Sequence, residues 1–167
     1  MWIAPCSTAF VFMSLFVFAS VSNSPALAGP IHDAAKAGDA AQVEALIVAG
    51  TDVDEKDIAF KTALHWAADL GHVKVVEILI EKDADVNLLE LSDKTALHFA
   101  SLENHAAIVE RLIAGGAEVN IKDTEDATAL DVATFRKVDT RIIEMLKKAG
   151  AVCGTNHHYS KWCKAAE

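Results

Sequence analysis

The sequence predicts an all-α solenoid: stacked helix-turn-helix units joined by β-turn fingers. Three observations predict it. The stretch Lys61-Thr-Ala-Leu-His-Trp-Ala-Ala68 returns as Lys94-Thr-Ala-Leu-His-Phe-Ala-Ser101 and again as Ala127-Thr-Ala-Leu-Asp-Val-Ala-Thr134, each time 33 residues further on. Self-similarity at such a period marks a stacked repeat array. After the first two copies, apolar residues recur at helical spacing, as Val75, Val76, Leu79 and Ile80, then Ile108, Val109, Leu112 and Ile113. A closing signature follows, Ala84-Asp-Val-Asn87 and then Gly116-Ala-Glu-Val-Asn120.

These segments resemble ankyrin repeats, whose consensus opens Thr-Pro-Leu-His and includes Gly-Ala-Asp-Val-Asn. The resemblance covers residues 30–152. With the segment before it, the chain resembles small signal-peptide-bearing ankyrin proteins of the bacterial periplasmic type. The family implies protein binding through a concave face made of finger tips and the exposed side of each first helix.

The chain has 167 residues, 52% of them hydrophobic, enough for one core. Its first 32 residues carry no charged side chain, and Ala9 to Val21 is apolar except for Ser14 and Ser20. That run is shorter than the roughly 20 residues a bilayer span needs. Ala26-Leu27-Ala28 then has the pattern of a cleavage site. Residues 1–28 therefore read as a secretory signal peptide, removed from the mature protein. No Lys or Arg precedes the apolar run, so a retained N-terminal anchor is the alternative reading. Cys6 lies before the run, unlike a lipoprotein attachment site.

Residues 29–152 form the repeat domain. Unit 29–60 is a degenerate cap, with Pro30 at the first turn of a helix that ends near Gly38. Its second helix runs from Ala40 to Val48, and Gln42 stands where later units have Val75 and Ile108. Unit 61–93 is the best formed. Thr62 should cap its first helix through the hydroxyl, with Leu64, Ala67 and Ala68 facing the stack. Unit 94–126 repeats this plan with Leu97 and Ala100. Unit 127–149 needs one inserted residue near Val138, and Lys147 replaces an apolar residue there as befits a terminal cap. Two departures from the family stand out. Ala63, Ala96 and Ala129 replace its Pro, and Phe60, Asp93 and Asp126 replace its finger glycine. Asp tolerates φ > 0 and Phe does so poorly, so the Phe60 finger either distorts or displays an aromatic for a reason.

Five of the seven histidines have repeat-specific places: His32, His65 and His98 in one register, His72 and His105 in another. In the family the first set hydrogen-bonds between repeats and the second sits in the interhelical turn. The other two lie in the tail 153–167, within Cys153-Gly-Thr-Asn-His157-His158-Tyr-Ser-Lys-Trp-Cys163. Cys153, His157, His158 and Cys163 could bind zinc. In an oxidising compartment the two cysteines pair instead, and a disulfide-closed tail is the preferred reading. Closing so short a loop is worth roughly 2–3 kcal/mol in the chain-entropy model. Trp162 and Tyr159 would then be available to cover the last helices.

The charge is net −9, but residues 29–126 alone carry 8 basic and 20 acidic side chains. No basic stripe runs along the repeats, which argues against nucleic acid. The acid either steers a basic partner or keeps the surface solvated. No nucleophile elbow, zincin helix or phosphate-cradling loop occurs, so catalysis, cofactors and resident metals are not expected. Carrying over the family's variable positions gives a candidate partner-binding set. On the fingers these are Ile58, Ala59, Leu91, Ser92, Thr124 and Glu125. On the first helices they are Asp69, Leu70, Leu102, Glu103, Phe135 and Arg136. Leu70, Leu102 and Phe135 share one register and should form an apolar ridge, with Leu88, Leu89 and Leu91 making the second finger apolar too. The expected function is non-catalytic protein binding outside the cytoplasm, by a monomer free of the membrane once the signal is removed. The alternatives are a stress-related stabiliser without a defined ligand, and a secreted factor acting on a host protein. No Asn-x-Ser/Thr sequon occurs, which favours a bacterial, periplasmic setting.

Overall fold

A computed structural model of the chain describes residues 29–155 together with Lys161 and Cys163. The signal-peptide reading, His157, His158, Tyr159 and Trp162 lie outside the described residues. Among the described residues the helices form four consecutive pairs. They are α1 (Pro30–Ala37) with α2 (Ala40–Val48), α3 (Ala63–Leu70) with α4 (Val73–Glu81), α5 (Ala96–Leu102) with α6 (Ala106–Ala114), and α7 (Ala129–Arg136) with α8 (Thr140–Lys148). Each first helix packs on the next first helix, and each second helix on the next second helix. This is the two-row all-α solenoid that the repeat period predicts. No helix is long and apolar enough to cross a membrane among the described residues.

The core lies between the rows. Leu64, Leu97 and Leu130 fill the first-helix row, while Ala67, Ala68, Ala100 and Ala133 let neighbouring helices close on one another. Val75, Val76 and Leu79 of α4, and Ile108, Val109 and Leu112 of α6, face them from the second row. Val43 is the one fully buried apolar side chain of α2, and its neighbour Gln42 is exposed, as a cap requires.

Polar contacts fix the spacing of the repeats. Thr62 is the N-cap of α3 as expected, in a capping box with His65. Its hydroxyl pairs mainly with the ring, however, at 2.9 Å from His65 Nδ1. The Thr62 N–H donates to the same nitrogen at 3.1 Å. A backbone N–H can only donate, so Nδ1 carries the lone pair and Nε2 carries the proton. Nε2 then donates into the next finger, to the carbonyls of Leu88 (3.1 Å) and Lys94 (3.2 Å). His98 copies the arrangement, accepting from Thr95 N–H at 3.1 Å and donating to the Ala127 carbonyl at 3.3 Å. His32 accepts from Gly29 N–H at 3.1 Å and donates to the Glu55 carbonyl at 2.8 Å.

The second histidine register points the other way along the stack. His72 Nε2 reaches back to the Lys36 carbonyl at 3.0 Å, and His105 Nε2 to the Asp69 carbonyl at 3.2 Å. The His105 ring lies against Gly71, where a Cβ would meet it at 2.7 Å, and Gly71 itself turns at φ 82°. Glycine is thus required there twice over. The terminal pairs have no such histidine. Asp39 and Asp139 cap α2 and α8 through their carboxylates instead. Helix α8 starts one residue later in its repeat than α6 does, which places the insertion beside Val138.

Burial pulls the His65 imidazole down from 6.5 to about 4, against the opposing pull of the carbonyls it donates to. His98 is lowered for the same reason. The unfolded chain therefore takes up a proton on His65 near pH 6.5, and the folded chain only near pH 4. Stability is full above the higher value and falls as pH drops between the two. A shift of this size corresponds to about 3 kcal/mol for His65 alone. Urea denaturation at pH 7.5 and pH 5 should show a clearly lower midpoint at pH 5. His65→Gln should shrink the difference, and a midpoint independent of pH would contradict the buried neutral ring.

Candidate partner-binding face

Each finger is a short hairpin closed by an acid at its base. Asp57 Oδ1 accepts the N–H groups of Ala59 (2.8 Å) and Lys61 (2.9 Å). Glu90 does the same for Ser92 (2.9 Å) and Lys94 (3.3 Å), and Asp123 for Glu125 (2.9 Å) and Ala127 (3.0 Å). Asp57 uses its other oxygen for the Trp66 indole N–H at 2.9 Å. Burial alone would raise the Asp57 carboxyl, but the hydrogen bonds from Trp66, Lys61 and Ala59 outweigh it and hold it below the usual range.

The fingers also bond to one another. Leu91 N–H donates to the Ala59 carbonyl at 3.3 Å, and Thr124 N–H donates to the Ser92 carbonyl at 3.0 Å. Four candidate residues, Ala59, Leu91, Ser92 and Thr124, are thereby joined in one backbone ladder. Farther from the tips, Asp54 accepts Asp85 N–H and Asn87 accepts Glu118 N–H. The fingers form a continuous edge rather than independent loops.

On that edge Ile58 is 67% exposed and Leu91 62%. Thr124 and Glu125 are exposed, while Ala59 and Ser92 are half-buried. Of the three leucines of the second finger only Leu91 is offered to solvent, since Leu88 and Leu89 are half-buried. Along the first helices, Leu70 and Phe135 are exposed and Leu102 on α5 is half-buried, so the ridge is lower in its middle. Leu102, Glu103, Phe135 and Arg136 line one shallow cleft, with Arg136 4.0 Å from the Glu103 carboxylate. Asp69 is held by Lys61 at 3.4 Å.

Two residues of this face were not among the candidate binding set. Lys61 precedes the cap and lies over both the Trp66 and Phe99 rings, 4.2 Å from each centroid. Lys36 covers the Trp66 ring from elsewhere at 4.3 Å. Phe60 is the second. Its finger does not distort: Phe60 adopts φ 59°, matching Asp93 at 56° and Asp126 at 63°. The left-handed conformation is retained and the aromatic ring is 51% exposed. The signal was present as an aromatic in a glycine position, but its direction could not be read.

The model of ankyrin repeats (3 copies) matches residues 31–123, more than half of the chain. The chain belongs to the ankyrin repeat family. No curated protein matches it. Ankyrin repeats are protein-interaction modules and typically non-catalytic. The helix pair α7–α8 lies beyond the matched residues but packs on α5–α6 in the same manner.

The Phe60 conformation costs about 1–2 kcal/mol for a residue with a Cβ, and glycine would return part of that as backbone entropy. Phe60→Gly should therefore leave the protein as stable as before or firmer by up to about 1 kcal/mol. Thermal unfolding checks this. A clear loss of stability would mean that the ring is held by packing rather than displayed.

Proposed function

We propose that the chain from Gly29 onward is a non-catalytic module that acts outside the cytoplasm and grips a protein partner along its fingers and the exposed flanks of its first helices. The observation that carries this reading is the row of exposed apolar side chains, Ile58, Phe60 and Leu91, on two fingers joined by the backbone ladder. Phe60 is an aromatic held in a left-handed conformation and half exposed to solvent, and such strain collects at functional sites. The repeats are acidic in composition, and Lys56 stands 5.8 Å from the Phe60 ring centroid. A partner with an apolar centre and a basic rim fits this pattern.

The placement outside the cytoplasm, periplasmic in a bacterium or secreted, rests on the leader pattern of residues 1–28. The bond between Cys153 and Cys163, with sulfurs 2.04 Å apart, agrees with an oxidising compartment. The protein is taken to act as a monomer.

Affinity capture from the native extracytoplasmic fraction tests the reading. Baits would be the chain from Gly29, the Ile58→Asp/Leu91→Asp double variant and Phe60→Gly. A protein held by wild type and lost by both variants, with their melting temperatures maintained, is the expected result. Equal capture by all three would remove the fingers from the binding face. No specific capture from any fraction would favour a stabiliser without a defined ligand.

A further inference from the structure

The last repeat departs from the others at two linked points. Where the first three repeats place His32, His65 and His98, the fourth places Asp131. Where a fifth finger would dock, the tail docks instead. Asn120 accepts Val152 N–H at 2.8 Å, as Asn87 accepts Glu118 N–H one repeat earlier. The Thr128 hydroxyl lies 3.1 Å from the Val152 carbonyl, and Thr155 donates to Asp126 at 2.6 Å. Gly154 is pressed so closely that a Cβ would fall on the Asp126 carbonyl and the Asp131 carboxylate.

Asp131 is fully buried in this corner. Its Oδ2 accepts the Thr128 N–H (2.9 Å), the Thr128 hydroxyl (2.8 Å) and the Gly154 N–H (2.6 Å). Its Oδ1 is also buried and has no partner among the described residues. A buried polar atom in that condition calls for an explanation. Two sulfurs stand near this carboxylate. A carboxylate oxygen of Asp131 and the sulfurs of Cys153 and Cys163 all lie within 4.8 Å of one another. Cys163 is fully buried and packs against the core.

We propose that the reduced protein binds one zinc ion here, with the thiolates of Cys153 and Cys163 and the carboxylate of Asp131 as ligands. Zinc takes sulfur at about 2.3 Å and carboxylate oxygen at about 2.0–2.2 Å, so tetrahedral ligands stand roughly 3.3–3.8 Å apart. Reduction frees the two sulfurs to part to that spacing. The three ligands leave a fourth position for water or an incoming donor.

A dithiol reductant opens the site. One of its thiolates attacks a cysteine sulfur and breaks the Cys153–Cys163 bond. Its second thiol then displaces the mixed disulfide, giving two cysteine thiols and an oxidised reductant. Zinc binding releases the two thiol protons to solvent. The tail thus has two alternative clamps, a disulfide when oxidised and a metal when reduced. Either one keeps the tail docked as the closing finger of the stack.

The test uses the purified protein, reduced with a phosphine and freed of reductant, beside an untreated sample. Both are titrated with Co²⁺ and then Zn²⁺ under inert gas. The reduced protein should take one Co²⁺ per chain, with thiolate-to-metal charge-transfer bands and the intense visible bands of a four-coordinate ion. One equivalent of Zn²⁺ should remove them, and the oxidised sample should show neither. Asp131→Asn should weaken zinc binding at least about tenfold, since loss of even an outer-shell partner costs that much. Cys163→Ser should abolish the charge-transfer bands. Absence of a complex in the reduced wild type, equal uptake in both redox states, or an unchanged zinc affinity in Asp131→Asn would each overturn the proposal. Far-UV circular dichroism checks that the variants remain helical. Should Asp131→Asn fail to fold, Asp131→Glu, which keeps the carboxylate, must show a changed zinc affinity or visible spectrum for the proposal to stand.

Discussion

A buried, uncharged imidazole at the head of a first helix couples each of the first three repeats to the one that follows. One ring performs both halves of the task. Its Nδ1 accepts from the residue that caps its own helix, and its Nε2 donates to a carbonyl of the next finger. The two halves depend on each other, because the accepted hydrogen bond forces the proton onto the outward nitrogen. Burial then keeps the His65 and His98 rings neutral. His72 and His105 reach back to the preceding repeat, so the inner units hold both neighbours.

For the proposed binding role this coupling matters because it fixes the fingers in the free chain. The carbonyls that accept from His65 flank the second finger on both sides, at Leu88 and Lys94. Between them, Glu90 closes the turn and Leu91 joins the ladder to Ala59. The tips are therefore preorganised, and association need not order them. At the far end the chemistry inverts. A histidine donates to a finger carbonyl, whereas Asp131 accepts a finger N–H, from Gly154. The substitution is matched to what docks there: the tail segment around Gly154, next to the disulfide-bonded Cys153, in place of another repeat.

The fold was legible because the same physics recurs every 33 residues. The threonine, leucine, histidine and alanine positions each repeat one role, so a single unit explains its copies. The inserted residue near Val138 and the exposed Gln42 were legible as departures from that pattern. Less was legible where a residue does something its type does not specify. Phe60 could have distorted its finger or accepted the strain, and only the backbone shows that φ stayed positive. The Thr62 hydroxyl was expected to serve a helix N–H, yet its closest partner is the imidazole already tied to its own backbone. Leu102 was placed on the ridge by register, but register does not report how far a neighbour covers it. Asp131 stands in the histidine register, and its link to the tail cysteines depends on a chain reversal that spacing does not reveal. Family position supplied the candidate face, while the ladder between fingers gave it physical continuity.

The most direct test of the coupling is the protonation state of the three rings. Long-range ¹H–¹⁵N spectra of the folded protein at pH 7 would resolve the imidazole nitrogens of His32, His65 and His98. Each should be neutral, with the proton on Nε2 and a bare, hydrogen-bonded Nδ1. A proton on Nδ1, or a charged ring at His65 or His98, would contradict the account, because neither state can accept from the cap and donate to the next finger at once.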